Sequence, residues 1–402
     1  MSEDKKLIEN DNEIIIENKE KTKSKNKPLI VGGIYFFCVL LFILFKILAQ
    51  VGVFEELGYA VKETLSSCII QIVIMLLIPF ILYAIFTKQK IKSTIKEFRI
   101  KKISAISILY SILIGIGVYF LIAYVSGFFS TILTFFGAEN APTDISIDYS
   151  QFTVPMFFLS VFLSAILPAI CEEFLHRGML VGALSKYGVI FAIVTSSLAF
   201  GFLHMNINQC FYAVLIGLFL GYLCIYTKSI FPCMIIHFMN NFLNVLFEFC
   251  YVNNWIGGGY YGWQNFIGYY LGSEAIYLLG ILLFVLALVV VVYFSFKLIK
   301  KERLDAEVEN MPNEAVEEYE RLKEQSKMFS AISPIYEMTK SKFNYFLHYS
   351  LRKAKLQATT RLNFLEQPEG NLRFKWYDNI FIFSSIAVAV FYCFISFLSI
   401  VI

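Results

Sequence analysis

Long apolar runs separated by short polar blocks dominate the chain. At about 1.5 Å of rise per residue, a helix needs about 20 apolar residues to cross a bilayer core. On that length, spans are predicted at about 29–54, 64–87, 104–136, 154–186, 188–204, 208–227, 230–250, 275–296 and 378–402. The third and fourth runs exceed one simple crossing, and Gly115, Gly117 and Pro168 are the candidate kinks or breaks in them. The first run lies too far from the start, and is too long, for a cleaved leader.

The polar blocks give the organisation. Residues 1–28 are rich in Lys, Glu and Asn and end in a basic run, a composition that predicts a disordered tail. Residues 29–296 hold an eight-span core. A charged insert follows at 297–375, with Asn313 capping a predicted solvent-facing helix, and a C-terminal span occupies 376–402. Lys and Arg crowd the block at 88–102, whereas the block at 138–152 has acids and no Lys or Arg. The positive-inside rule then predicts a cytoplasmic N-terminus, a C-terminus outside and the cell membrane as the location.

Composition agrees with this all-α, polytopic transmembrane bundle. Of the 402 residues, 58% are hydrophobic and only 16% charged, too little polar surface for a soluble fold of this size. The net charge of +3 lies in short inter-span blocks, so the lipid bilayer is the expected partner and nucleic acid is not. The eight cysteines fall almost entirely within apolar runs without paired spacing, which predicts neither a disulfide framework nor a zinc ribbon.

Against that background, charge inside a span stands out. Glu172, Glu173 and Arg177 lie in one apolar run, and each central charge costs about 2.5–3.5 kcal/mol on insertion scales. Glu173 and Arg177 are i and i+4 and can pair, while Glu172 is turned about 100° away and must find a partner on another helix. Two later runs offer histidines: His204 ends Phe200-Gly201-Phe202-Leu203-His204, and His237 and Asn241 share a face at i and i+4. His176 and His348 are expected at an interface or in the cytoplasm. Purely structural roles stay open for all of these: an ion pair for Glu173 and Arg177, which is the favoured reading of that pair, a hydrogen-bonded carboxylate, core histidines, a backbone-bound Asn241. A Cys233 nucleophile is a further alternative, but no acid is evident to orient a base for it.

The three motifs, Glu172-Glu173-x-x-x-Arg177, Phe200-x-x-x-His204 and His237-x-x-x-Asn241, resemble in order and helical context those of the CAAX-processing and bacteriocin-processing (CPBP, or Abi) intramembrane proteases, which include the type II CAAX prenyl endopeptidases. The resemblance covers about 150–250. His176 stands where that family usually has an aromatic. The resemblance implies an intramembrane endopeptidase with Glu172 as general base, His204 positioning water, and His237 and Asn241 at the scissile carbonyl, supported by Glu173 and Arg177. It leaves the metal open: Glu172, His204 and His237 are the candidate ligands of a zinc-like divalent ion, but the His-Glu-x-x-His signature is absent and metal-free glutamate chemistry is favoured. Substrates compatible with it are a prenylated tail, a bacteriocin or signalling-peptide precursor, or a membrane-protein fragment. From other classes, a non-catalytic immunity or scaffold protein and a transporter remain as alternatives, the latter disfavoured by the lack of repeat symmetry.

Overall fold

The computed structural model describes residues 27–54, 56–89, 91–137, 152–253, 255, 272–309 and 379–401. The chain divides into two compact units, Met1–Ile299 with Leu372–Ile402, and Lys300–Asn371. Among the described residues there are ten helical elements and no strand. They are α1 (Lys27–Gln50), α2 (Ala60–Thr87), α3 (Ile91–Glu97), α4 (Ala105–Phe135), α5 (Val154–Tyr187), α6 (Val189–Leu203), α7 (Ile207–Thr227), α8 (Phe231–Val252), α9 (Ser273–Glu309) and α10 (Ile380–Val401). Seven of them are long and apolar enough to cross a membrane, and α6 and α10 are two further apolar helices. The fold is an all-α polytopic membrane bundle.

Every predicted run is a helix, with three differences of detail. First, α4 runs unbroken through Gly115 and Gly117, so neither marks a break in the helix. They are contact points: a Cβ on Gly115 would meet Met239 at 2.5 Å, and one on Gly117 would meet Val291 at 2.8 Å. A small residue lets helix backbones approach in a membrane, where close packing rather than hydrophobicity drives association. Second, the basic block at 88–102 contains the short helix α3, whose Glu97 pairs with Lys27 at the start of α1 and accepts from the Tyr83 hydroxyl at 2.8 Å. Third, α9 continues through Glu309, past the expected end of its span. The tail at 1–26, the acidic block at 138–151, the aromatic loop at 256–271 and the insert from 310 lie outside the described residues.

Two large apolar cores pack the bundle, beside a small third in which Phe152 meets Val245 and Phe249 of α8. One gathers α1, α2, α6, α10 and the Cys171–Leu184 part of α5; the other gathers α4, α7, α8 and α9. On the far sides, α9 presents Leu278, Ile281, Leu282, Val289 and Val292 outward, which only a lipid environment accommodates at such density. The polar side chains of α5 lie on the seam between the cores.

Candidate active site

Proline sets the local geometry of α5. Pro168 has no N–H, so it cannot donate to the carbonyl of Ser164 four residues earlier. The helix answers with a π-helical stretch at Val161–Ile166, an α-helical stretch at Leu167–Glu173 and a second π-helical stretch at Phe174–Leu180. Such wider turns change which face successive side chains occupy and recur at functional sites. The Ser164 carbonyl accepts a bond from another helix: Asn241 Nδ2 on α8 donates to it at 3.0 Å. Asn240 Nδ2 in turn donates to Asn241 Oδ1 at 3.1 Å, so the Asn241 amide is oriented at both ends and retains one uncommitted N–H.

Glu173 is wholly buried, and one of its two oxygens, Oε1, accepts two bonds, while among the described residues Oε2 has no hydrogen-bond partner. Arg177 Nη1 donates at 3.0 Å, as the i, i+4 spacing predicts, and His237 Nδ1 lies at 2.9 Å from the same oxygen. The second partner revises the reading of this pair as an ion pair alone: Glu173 also holds a histidine of the next core. Arg177, equally buried, reaches Gly217 O on α7 with Nη2 at 3.4 Å and lies 4.3 Å above the Phe200 ring. The pair therefore spans α5, α6, α7 and α8.

The hydrogen-bond partners fix where the histidine protons are. His204 Nδ1 lies 3.0 Å from Phe200 O, and a carbonyl can only accept, so Nδ1 carries the proton. A carboxylate makes the same demand of His237 Nδ1. Among the described residues neither Nε2 has a hydrogen-bond partner, so each neutral ring keeps an uncommitted lone pair. Phe200 is the common neighbour, edge-on to His176, His204 and His237 with centroids 5.1, 5.2 and 5.7 Å away. The sequence marks Phe200 only as the start of a motif; nothing in its spacing shows that it packs against all three rings and Arg177.

Glu172 differs from its neighbour. It is half-buried, and its Oε1 accepts from Gln71 Nε2 on α2 at 2.8 Å. The expected histidine partner is thus replaced by an amide, because His237 is engaged by Glu173 and His204 by its own helix. The other carboxylate oxygen has no protein hydrogen bond among the described residues. His176 corrects a second expectation. It is wholly buried rather than interfacial, with Nδ1 2.8 Å from Glu172 O and Nε2 3.2 Å from the Tyr35 hydroxyl, which also lies 2.9 Å from Ala199 O. His348 lies outside the described residues. The Cys233 thiol donates to Leu220 O at 3.2 Å, and all eight cysteines are free.

Among the described residues no three His, Cys, Asp or Glu side chains converge into a group that could hold a metal ion. Glu172, His204 and His237 as placed do not fit one, and no step below is routed through a metal.

Comparison with known proteins falls on the same helices. Residues 154–243, from the start of α5 into α8, match the family model described as type II CAAX prenyl endopeptidase Rce1-like, and this stretch holds all seven named residues of the three motifs. A Bacillus subtilis (strain 168) protein named "Putative membrane peptidase YdiL" is 24% identical over 237 residues, covering 55% of this chain and 92% of that protein. No solved structure matches the chain significantly.

Proposed function

We propose that this chain, a CAAX-type membrane protease at family level through its Rce1-like segment 154–243, hydrolyses peptide bonds of membrane-associated peptides with Glu172 as the general base. The observation that supports this most is the asymmetry of Glu172: one oxygen is held by Gln71 and the other is open, on a helix whose neighbours carry two histidines with free Nε2 atoms. Glu172 takes a proton from water as the water oxygen attacks the scissile carbonyl. His204, with its lone pair at Nε2, accepts the second water hydrogen as a hydrogen bond and aims the nucleophile. The oxyanion is met by the uncommitted N–H of Asn241; His237, held at Nδ1 by Glu173, adds an Nε2–H donor only once it has taken up a further proton from the medium, with Glu173 as the counter-charge. Glu172 then returns the proton to the leaving nitrogen as the C–N bond breaks, leaving a carboxylate and an amine.

This chemistry needs no metal, so cleavage should survive chelation. Activity of purified protein is to be compared before and after chelator treatment, with metal content measured alongside. A stoichiometric metal whose removal abolishes cleavage would sink the metal-free mechanism.

The substrates we assign are peptides delivered from the bilayer, such as a prenylated tail or a bacteriocin or signalling-peptide precursor. With the nine spans read from the sequence as crossings, the termini lie on opposite faces, and the Lys and Arg blocks assign the N-terminus to the cytoplasm. Single cysteines introduced at 88–102 and at 138–152 test this by accessibility labelling in intact cells. Reagents that do not cross the membrane should reach only the second block, and the reverse pattern overturns the orientation.

A further inference from the structure

We infer that Gln71, 101 residues before Glu172 and outside the family match, is a positioning residue that holds the Glu172 carboxylate for proton transfer. The inference rests on the reading of Glu172 as the base. Gln71 is the lone polar side chain between Cys68 and Tyr83, in the π-helical stretch Ile69–Leu77 of α2. It is buried, and among the described residues its buried carbonyl oxygen Oε1 has no hydrogen-bond partner. An unsatisfied amide oxygen in an apolar span costs folding free energy, so the reason for a glutamine there lies in what its other end does.

What the amide does gain is one contact, Nε2 to Glu172 Oε1 at 2.8 Å. Among the described residues it is the sole hydrogen-bond donor on that carboxylate. Arg177, the nearest guanidinium on α5, is committed to Glu173 and to Gly217 O. The choice of an amide matters chemically. A cation at this position would neutralise Glu172 and weaken it as a base, whereas a neutral donor fixes its orientation and leaves its charge uncompensated. A carboxamide also serves the other protonation state. Rotated by half a turn, it turns its free Oε1 toward the carboxylic acid that forms once Glu172 has taken the proton of water, and accepts from it. One side chain then holds the base before and after proton capture.

The test is Gln71→Met, which keeps the length of the side chain and removes both polar atoms. Wild type, Gln71→Met and Glu172→Gln are purified in detergent and compared for kcat, KM and melting temperature on one reporter peptide. Loss of a positioning contact should lower kcat by about tenfold to a hundredfold. KM should stay unchanged, and the melting temperature reads separately the balance between the relieved carbonyl of residue 71 and the lost bond to Glu172. If Gln71→Met fails to insert, Gln71→Leu, also lacking the donor, carries the same expectation. A lowered melting temperature with kcat per folded molecule intact means that Gln71 only packs, and overturns the inference. Wild-type kcat in Gln71→Met, with Glu172→Gln inactive, overturns it while leaving the base in place. Turnover by Glu172→Gln removes the base itself.

Discussion

Glu172→Gln is expected to abolish turnover while the protein inserts, purifies and melts as the wild type does. The substitution keeps the size of the side chain, and its Oε1 still accepts from Gln71, so the packing of α5 against α2 survives. What disappears is the proton acceptor. General-base catalysis alone contributes about 10² to 10⁴-fold, and no neighbouring carboxylate can stand in, because Glu173 is enclosed and bound to Arg177 and His237. His204→Ala and His237→Ala should fall with it. Asn241→Ala should retain a measurable remnant, since one oxyanion donor is worth about 10² to 10³-fold. Rates per folded molecule on a single reporter peptide check the series, and near wild-type turnover by Glu172→Gln would show that another group activates water.

Glu173→Gln should fail differently, in stability as well as in rate. Its carboxylate oxygen is the shared acceptor of Arg177 and His237, and removing the charge leaves a guanidinium without its counter-ion inside the bundle. Loss of one partner of a buried pair typically costs about 3 to 5 kcal/mol. The same change deprives His237 of the carboxylate that orients Nδ1, so folded molecules should also be slow. Detergent melting curves read against rates normalised to the folded fraction separate the two effects. A variant as stable as wild type but inactive would assign Glu173 to the chemistry; one that is unstable but fully active per folded molecule would confine it to structure.

What the sequence revealed, and what it did not, follows from how far each interaction reaches along the chain. The spans were legible because bilayer thickness dictates their length, and Pro168 because a missing N–H disturbs its own helix. The Glu173–Arg177 contact is likewise local, an i, i+4 pair on one face. By contrast, Gln71 meets Glu172 across 101 residues and is a single polar letter in an apolar run. His176 was misread as interfacial because hydropathy alone does not reveal that Tyr35, 141 residues earlier, supplies a buried partner. Gly115 and Gly117 carry the same letter as a helix breaker, and only the approach of Met239 and Val291 identifies them as contact points. Helix α3 is not legible in the sequence because seven mostly polar residues give too short a pattern to separate from a loop.

The central claim, that Glu172 activates water to cut a peptide bond, is tested most directly by isotope incorporation. Purified wild-type and Glu172→Gln proteins, matched for melting temperature, are incubated with hydrophobic peptides in water enriched in heavy oxygen, and the products are read by mass spectrometry. The account predicts new C-termini carrying one heavy oxygen with the wild type and none with Glu172→Gln. Labelled termini produced equally by both proteins would contradict it.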